Sequence, residues 1–401
     1  MNQTAIPTFT TEETLPLKTE PIKINAHKVP YLSSLTALRG IAALLVAVFH
    51  FEMAVARFVP AASSMFFEKC YLMVDLFFIM SGFIMMHVYR DQFKDSIQVE
   101  PLKNFFVARF ARVYPLHIFS LLLLVVIVRY LTDWGNPPIL LEQPSDILPN
   151  IFLLHSFGLT NIYSWNIPSW SISAEWAAYL LFPVIALCIN KKRTISVIIF
   201  LGLIVFAYYA IMYMLPRKNP INPAIPVPHN LNTTFDYGYI RGIAGFTVGV
   251  LVYLLYELKA FRKAFSSDFV SLILILGIVL CLHFALNDGI TVLLFAALVL
   301  SFTANQGSIA KFCNLKFMQF LGNISYSVYL MQIFLQEPFS HGAYLPGTVG
   351  VGRGKQNIDL FPGLMYCLVY LVLLILISYV TYRWVEGPSR RFINRIWGKV
   401  N

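Results

Sequence analysis

Arg39 and His50 both lie in Leu35–Phe58, LTALRGIAALLVAVFHFEMAVARF, a stretch otherwise apolar enough to cross a bilayer. They stand eleven residues apart. At about 100° per residue that spacing puts both within about 20° of one helical face, about 16 Å apart along the axis. An arginine in hydrocarbon costs about 2.5–3.5 kcal/mol on insertion scales, so such residues face a protein interior or a watery cavity. The pair predicts a polar path along one side of the first helix. An imidazole there can take a proton, and a guanidinium can hold a phosphate or a developing oxyanion. Asp75 and Glu175 add two carboxylates inside apolar runs, and Arg109 and Arg112 share the face of a basic, aromatic helix.

The elements that must position these residues are membrane spans. Of 401 residues 58% are apolar and 12% charged, with mean hydropathy +0.67, more apolar surface than a soluble fold of this size can cover. Runs near twenty residues recur along the chain, which predicts an all-α, polytopic transmembrane helical bundle of about ten spans. They are placed at about 35–56, 70–90, 114–133, 169–190, 194–215, 237–258, 268–286, 289–305, 319–337 and 361–386. With both termini cytoplasmic, twenty Lys and Arg fall on the cytoplasmic side and seven on the other, as the positive-inside rule requires. The net charge of +10 is thereby explained by topology, and no nucleic-acid partner is expected. A polar tail, 1–30, precedes the membrane domain, 31–393, and a short tail, 394–401, follows it. The first thirty residues hold no short apolar core with a cleavage site, so no removable signal peptide is expected.

The five cysteines are scattered without paired spacing, so neither a metal site nor a disulfide framework is expected. Trp134–Ile167, proline-rich Pro216–Asn232 and glycine-rich His341–Gly354 read as extracytoplasmic loops, the first with an interfacial helix near Ile147–Phe157. Pro101–Val113 reads as a cytoplasmic interfacial helix ahead of a span that starts beside Pro115.

Depth brings the polar groups to one level. His50 lies about 22 Å from the cytoplasmic edge of a core about 30 Å thick, and Asp75 and Glu175 land at similar levels on the second and fourth spans. A carboxylate bonded to one ring nitrogen fixes the tautomer and raises the basicity that a general base needs. Depth leaves open whether Asp75 or Glu175 is that partner. Structural roles stay open beside the chemical ones. His50, Asp75 and Glu175 can satisfy neighbouring helices, Arg39 can snorkel to the membrane edge, and Arg109 and Arg112 can attract anionic lipid.

Seven motifs, in order from about residue 32 to 393, resemble the acyltransferase-3 family of bacterial membrane acyltransferases. LTALRGIAALLVAVFHF is similar to its arginine–ten residues–histidine signature at Arg39 and His50. VDLFFIMSGFIM resembles its aspartate-led second-span motif at Asp75, Ser81 and Gly82, and RFARVYPLH its Arg-x-x-Arg motif at Arg109 and Arg112. WSISAEW is similar to its Trp-Ser-x-Ser-x-Glu segment at Trp170, Ser171, Ser173 and Glu175. RGIAGFTVG, LGNISYSVYLMQ and RWVEGPSRR resemble later landmarks. Two positions depart from the pattern: Gln332 stands where many relatives have histidine, and Trp176 where many have a second glutamate.

The resemblance implies transfer of an acyl group, acetyl above all, from a coenzyme A thioester to a hydroxyl of a surface glycan, at the inner membrane of a bacterium. His50 is then the general base with Asp75 or Glu175 orienting it. Arg39 holds the donor or the oxyanion, Arg109 and Arg112 take donor phosphates, and Trp170, Ser171 and Ser173 meet substrate. Lipopolysaccharide, exopolysaccharide, a lipid-linked oligosaccharide, a nodulation-type signal and a macrolide-like molecule are all compatible acceptors. The rival class is a secondary transporter or lipid-linked glycan flippase, which buried ionisable groups suit equally. That class usually carries repeats and broken helices, and neither is visible in the sequence. A receptor or scaffold leaves the polar constellation unexplained.

Overall fold

A computed structural model describes residues 30–133, 144–160, 165–217, 227–342 and 356–398. The tail 1–29, parts of the three expected outer loops and residues 399–401 lie outside the described residues. The first helices are α1 (Ser33–Ala54), α2 (Met73–Tyr89), α3 (Val99–Asp133), α4 (Ile147–Ile151) and α5 (Trp170–Lys191). Next come α6 (Arg193–Tyr209), α7 (Gly238–Glu257), α8 (Lys259–Ala264), α9 (Asp268–His283) and α10 (Asp288–Ala304). The last are α11 (Ser308–Cys313), α12 (Lys316–Met331), α13 (Ile333–Gly342), α14 (Leu360–Thr381) and α15 (Gly387–Trp397). The strand content among the described residues is one parallel bridge, Ala56–Arg57 beside Gln356–Asn357.

Among the described residues, seven helical segments are long and apolar enough to cross a membrane, and α9 and α10 are shorter apolar helices. Each expected span coincides with a helix, but three boundaries differ. The interfacial helix and third span are one 35-residue helix, α3, running through Pro115. Proline is tolerated within a bundle because neighbours re-satisfy the freed backbone groups. Pro115 frees the Ala111 carbonyl, and beside it the Tyr326 hydroxyl of α12 donates to the Val113 carbonyl at 2.5 Å, tying α12 to α3 next to the proline. The ninth span is two helices in succession, α12 and α13, joined through Gln332, which itself keeps helical dihedrals (φ −58°, ψ −35°). The helix expected near Ile147–Phe157 is only the five residues of α4.

Glycines set the closest helix crossings. A Cβ on Gly82 of α2 would sit 1.8 Å from the Phe246 carbonyl oxygen of α7, and one on Gly249 of α7 1.9 Å from that of Ile79. Between α1 and α12, a Cβ on Gly322 would lie 2.0 Å from the Thr36 carbonyl oxygen. With lipid as apolar as leucine, helices in a bilayer associate through this close packing and through polar contacts. Contacts advance together along both pairs, Asp75 with Arg241 and Gly82 with Phe246, Arg39 with Ser325 and His50 with Gln332, so each pair runs parallel.

The strongest polar contact lies at the α2–α7 crossing. Arg241 is fully buried and grips both oxygens of fully buried Asp75, at 3.0 and 2.6 Å. Its remaining donors reach the carbonyls of Thr233, at 3.3 Å, and Tyr71, at 3.1 Å. A second polar cluster joins α3 to the segment after α4. The rings of His117 and His155 stack at 5.8 Å, His117 Nε2 lies 2.8 Å from the Asn150 carbonyl, and His155 Nε2 lies 2.9 Å from Ser169 Oγ. Burial, with His117 alongside, pushes the His155 imidazole down to about 3.

Candidate active site

One cavity, about 840 Å³ with its mouth included, opens between α1, α2, α3, α5 and α12. Its wall brings together Arg39, Arg109, Arg112, Glu175 and Ser171, five of the residues selected from sequence. Helical period explains the α5 contribution: Ser171, Glu175 and Tyr179 are four apart and form one stripe facing the cavity. Phe77, Phe78, Met80, Ile84 and Met85 of α2 supply an apolar wall.

Each charged group is held by neutral or opposite partners. Arg39 donates to the Gly322 carbonyl at 3.1 Å and to Ser325 Oγ at 3.2 Å. Arg109 donates to the Tyr89 hydroxyl at 3.1 Å and lies over the rings of Tyr89 and Tyr179, while its buried Nε bonds nothing among the described residues. Arg112 pairs at 2.8 Å with Glu386, which also accepts from Ser327 at 2.9 Å. Glu175 Oε1 accepts from Ser81 Oγ and the Tyr179 hydroxyl, both at 2.5 Å. Three guanidiniums thus face two carboxylates, Glu175 in the wall and Glu386 behind it. That surplus of positive charge beside an apolar wall suits an elongated anion with a hydrophobic portion.

His50 is not part of the wall. Its Nδ1 lies 3.2 Å from Gln332 Oε1, and Gln332 Nε2 donates to the Tyr329 carbonyl at 2.9 Å. Tyr329 does line the cavity, and its hydroxyl accepts from Ser171 at 2.8 Å. One glutamine and one tyrosine therefore separate the imidazole from the cavity. The expected path is polar at both ends of the Arg39–His50 face, yet the cavity occupies only the Arg39 end.

Four of the selected residues make contacts other than those expected. Neither Asp75 nor Glu175 meets His50: Asp75 faces α7 and is bound by Arg241, and Glu175 faces Ser81 and Tyr179. Equal depth on two helices fixes height but not azimuth. Trp170 lies against Arg241, 5.3 Å from its guanidinium, where a Cβ on Gly238 would be 2.7 Å from the indole. Ser173 bonds Ser156 Oγ at 2.9 Å and the Leu153 carbonyl at 2.6 Å. Both therefore anchor structure outside the cavity wall. The wall residues not selected from sequence include Tyr179, Ser325, Tyr326 and Tyr329, and Gln332, noted there only as a departure from the family pattern, is the partner of His50. The signal for three of them was present: Ser325, Tyr326 and Tyr329 share the α12 face that begins with Gly322.

Fold and site together define a multi-pass membrane protein with an arginine-lined cavity inside its helical bundle. The acyltransferase-3 family model, described as an acyltransferase domain, matches residues 32–383, and the chain belongs to that family. Acyltransferase MdmB of Streptomyces mycarofaciens is 35% identical over 164 residues, 39% of this chain and 40% of that protein. O-acetyltransferase OatA of Staphylococcus aureus is 21% identical over 389 residues, 90% of this chain and 57% of that protein. Protein 2 in the picA locus of Rhizobium radiobacter is 31% identical over 180 residues, 41% of this chain and 87% of that protein. The aligned regions thus span about half the length of the first two relatives. No solved structure matches.

Proposed function

We propose that this protein is an O-acyltransferase of a bacterial inner membrane, moving an acetyl group from acetyl-CoA to a hydroxyl of a carbohydrate or glycolipid acceptor. The cavity carries the reading, because its three guanidiniums and apolar wall match a phosphorylated donor with a long, weakly polar arm. Arg109 and Arg112 take the donor phosphates. Arg39 lies about 16 Å along α1 from His50, which favours donor holding over oxyanion stabilisation for it. A pantetheine arm, on the order of 15 Å extended, bridges that interval. With cytoplasmic termini, as the distribution of Lys and Arg leads one to expect, the Arg39 end would face the side where coenzyme A is made.

In this reading His50 removes the acceptor hydroxyl proton as the oxygen attacks the thioester carbonyl. The tetrahedral intermediate then collapses, the carbon–sulfur bond breaks, and the imidazolium returns its proton to the departing thiolate. The relatives named acyltransferase and O-acetyltransferase support group transfer. The transporter class suits the same buried ionisable groups.

One experiment separates the two. Detergent-purified protein, with no ion gradient, releases CoA thiol from acetyl-CoA supplied with methyl glycosides as surrogate acceptors. His50→Ala abolishes release, and Arg109→Gln and Arg112→Gln each raise the donor KM by about tenfold or more, the worth of a charge-assisted hydrogen bond. Turnover that needs a gradient, or that survives in His50→Ala, refutes the proposal.

A further inference from the structure

Two carbonyls at the α12–α13 junction are held by side-chain amides. Gln332 Nε2 donates to the Tyr329 carbonyl at 2.9 Å, and Asn166 Nδ2 donates to the Leu330 carbonyl at 3.2 Å. Inside a membrane, backbone polar groups must be met by protein or water, so both amides belong to the architecture of this junction. Gln332 is completely buried.

The bond to Tyr329 has a consequence for His50. A carbonyl oxygen only accepts, so the nitrogen of the Gln332 amide must be the atom facing Tyr329. The amide oxygen then faces His50 Nδ1 at 3.2 Å. That oxygen also only accepts, so Nδ1 carries the hydrogen and the lone pair of the neutral ring resides on Nε2. We infer that Gln332 is a positioning residue that locks His50 as the Nδ1–H tautomer and presents Nε2 as the proton acceptor. Its catalytic side rests on the general-base reading of His50.

The lock is neutral. Among the described residues no carboxylate comes within ion-pairing distance of the imidazole. Asp75 is bound by Arg241, Asp288 by Lys69 and the Tyr71 hydroxyl, and the Glu52 carboxylate accepts from the Phe58 and Val59 amides. Tyr71 meets the ring of Phe49, next to His50, edge-on at 6.2 Å. Orientation of the base therefore comes from an uncharged amide, in the place where the sequence led to expect a carboxylate.

Nitrogen-15 NMR of histidine-labelled full-length protein in detergent tests the lock without reference to activity, with the His50 signals assigned by their loss in His50→Ala. The wild type shows a protonated Nδ1 and an unprotonated Nε2. In Gln332→Met, similar in volume but lacking the acceptor, that preference disappears, and CoA release falls by at least about tenfold at an acetyl-CoA KM within about twofold of wild type. Gln332→Glu keeps an acceptor in reach and adds charge, so it retains the protonated Nδ1 and moves the acid limb of the rate profile to higher pH; it decides the matter if Gln332→Met does not fold. An unprotonated Nδ1 in the wild type, an unchanged spectrum in Gln332→Met, or an unmoved acid limb in Gln332→Glu overturns the inference. Activity surviving in His50→Ala with the tautomer as stated overturns the base reading alone.

Discussion

Replacing Asp75 by Leu separates a structural carboxylate from a catalytic one. Arg241 is fully buried, and Asp75 supplies two of its four hydrogen bonds, the other two going to the Thr233 and Tyr71 carbonyls. Removing one partner of a buried pair strands a charge and costs about 3–5 kcal/mol. A loss of that size lowers the apparent unfolding midpoint on the order of 5–10 °C. Replacing both partners with apolar residues of similar volume is frequently neutral, so Asp75→Leu with Arg241→Met recovers most of the loss. The assay is the midpoint from size-exclusion chromatography of heated detergent extracts, alongside CoA release. The double variant is expected to regain both stability and activity. A double variant that is stable yet inactive refutes the structural assignment and returns Asp75 to the chemistry. A single variant as stable as wild type refutes the magnitude.

Three further outcomes follow from the packing. Gly82→Val drives a side chain into the Phe246 carbonyl 1.8 Å away and costs about 3 kcal/mol or more, whereas Gly202→Ala, with nothing within 4 Å, leaves the unfolding midpoint unchanged or higher. Comparable midpoints for the two would show that the α2–α7 crossing is looser than described. Stability also declines in acid through His155: at neutral pH the ring is uncharged folded and unfolded, but below about 6.5 the unfolded chain gains a proton that the folded one refuses until about pH 3. The loss is on the order of 2 kcal/mol at pH 5, and a parallel decline in His155→Gln would remove His155 as its source. Arg112→Gln leaves Glu386, only 2% exposed, without its partner, so it lowers the midpoint as well as donor affinity, while Arg109→Gln, which breaks no ion pair, chiefly affects the donor.

The sequence by itself determined the membrane class, the helix positions and five residues of the cavity wall. Hydrophobic runs near twenty residues leave a bilayer-spanning helix as the way to satisfy the backbone, and a helical period puts Ser171 beside Glu175, and Arg109 beside Arg112, wherever the helices go. Arg39 and His50 share a face for the same reason, and both contact the span that α12 begins. Only the tertiary structure decided who faces whom. Asp75 and His50 lie at similar heights, but rotation about a helix axis and the choice of neighbouring helix are set by close packing at Gly82, Gly249 and Gly322, which bring α7 to α2 and α12 to α1. Those contacts give Asp75 to Arg241 and His50 to Gln332, residues 166 and 282 positions away along the chain. No periodicity within one segment encodes a partner that distant. It is fixed by the shape of the surfaces that meet.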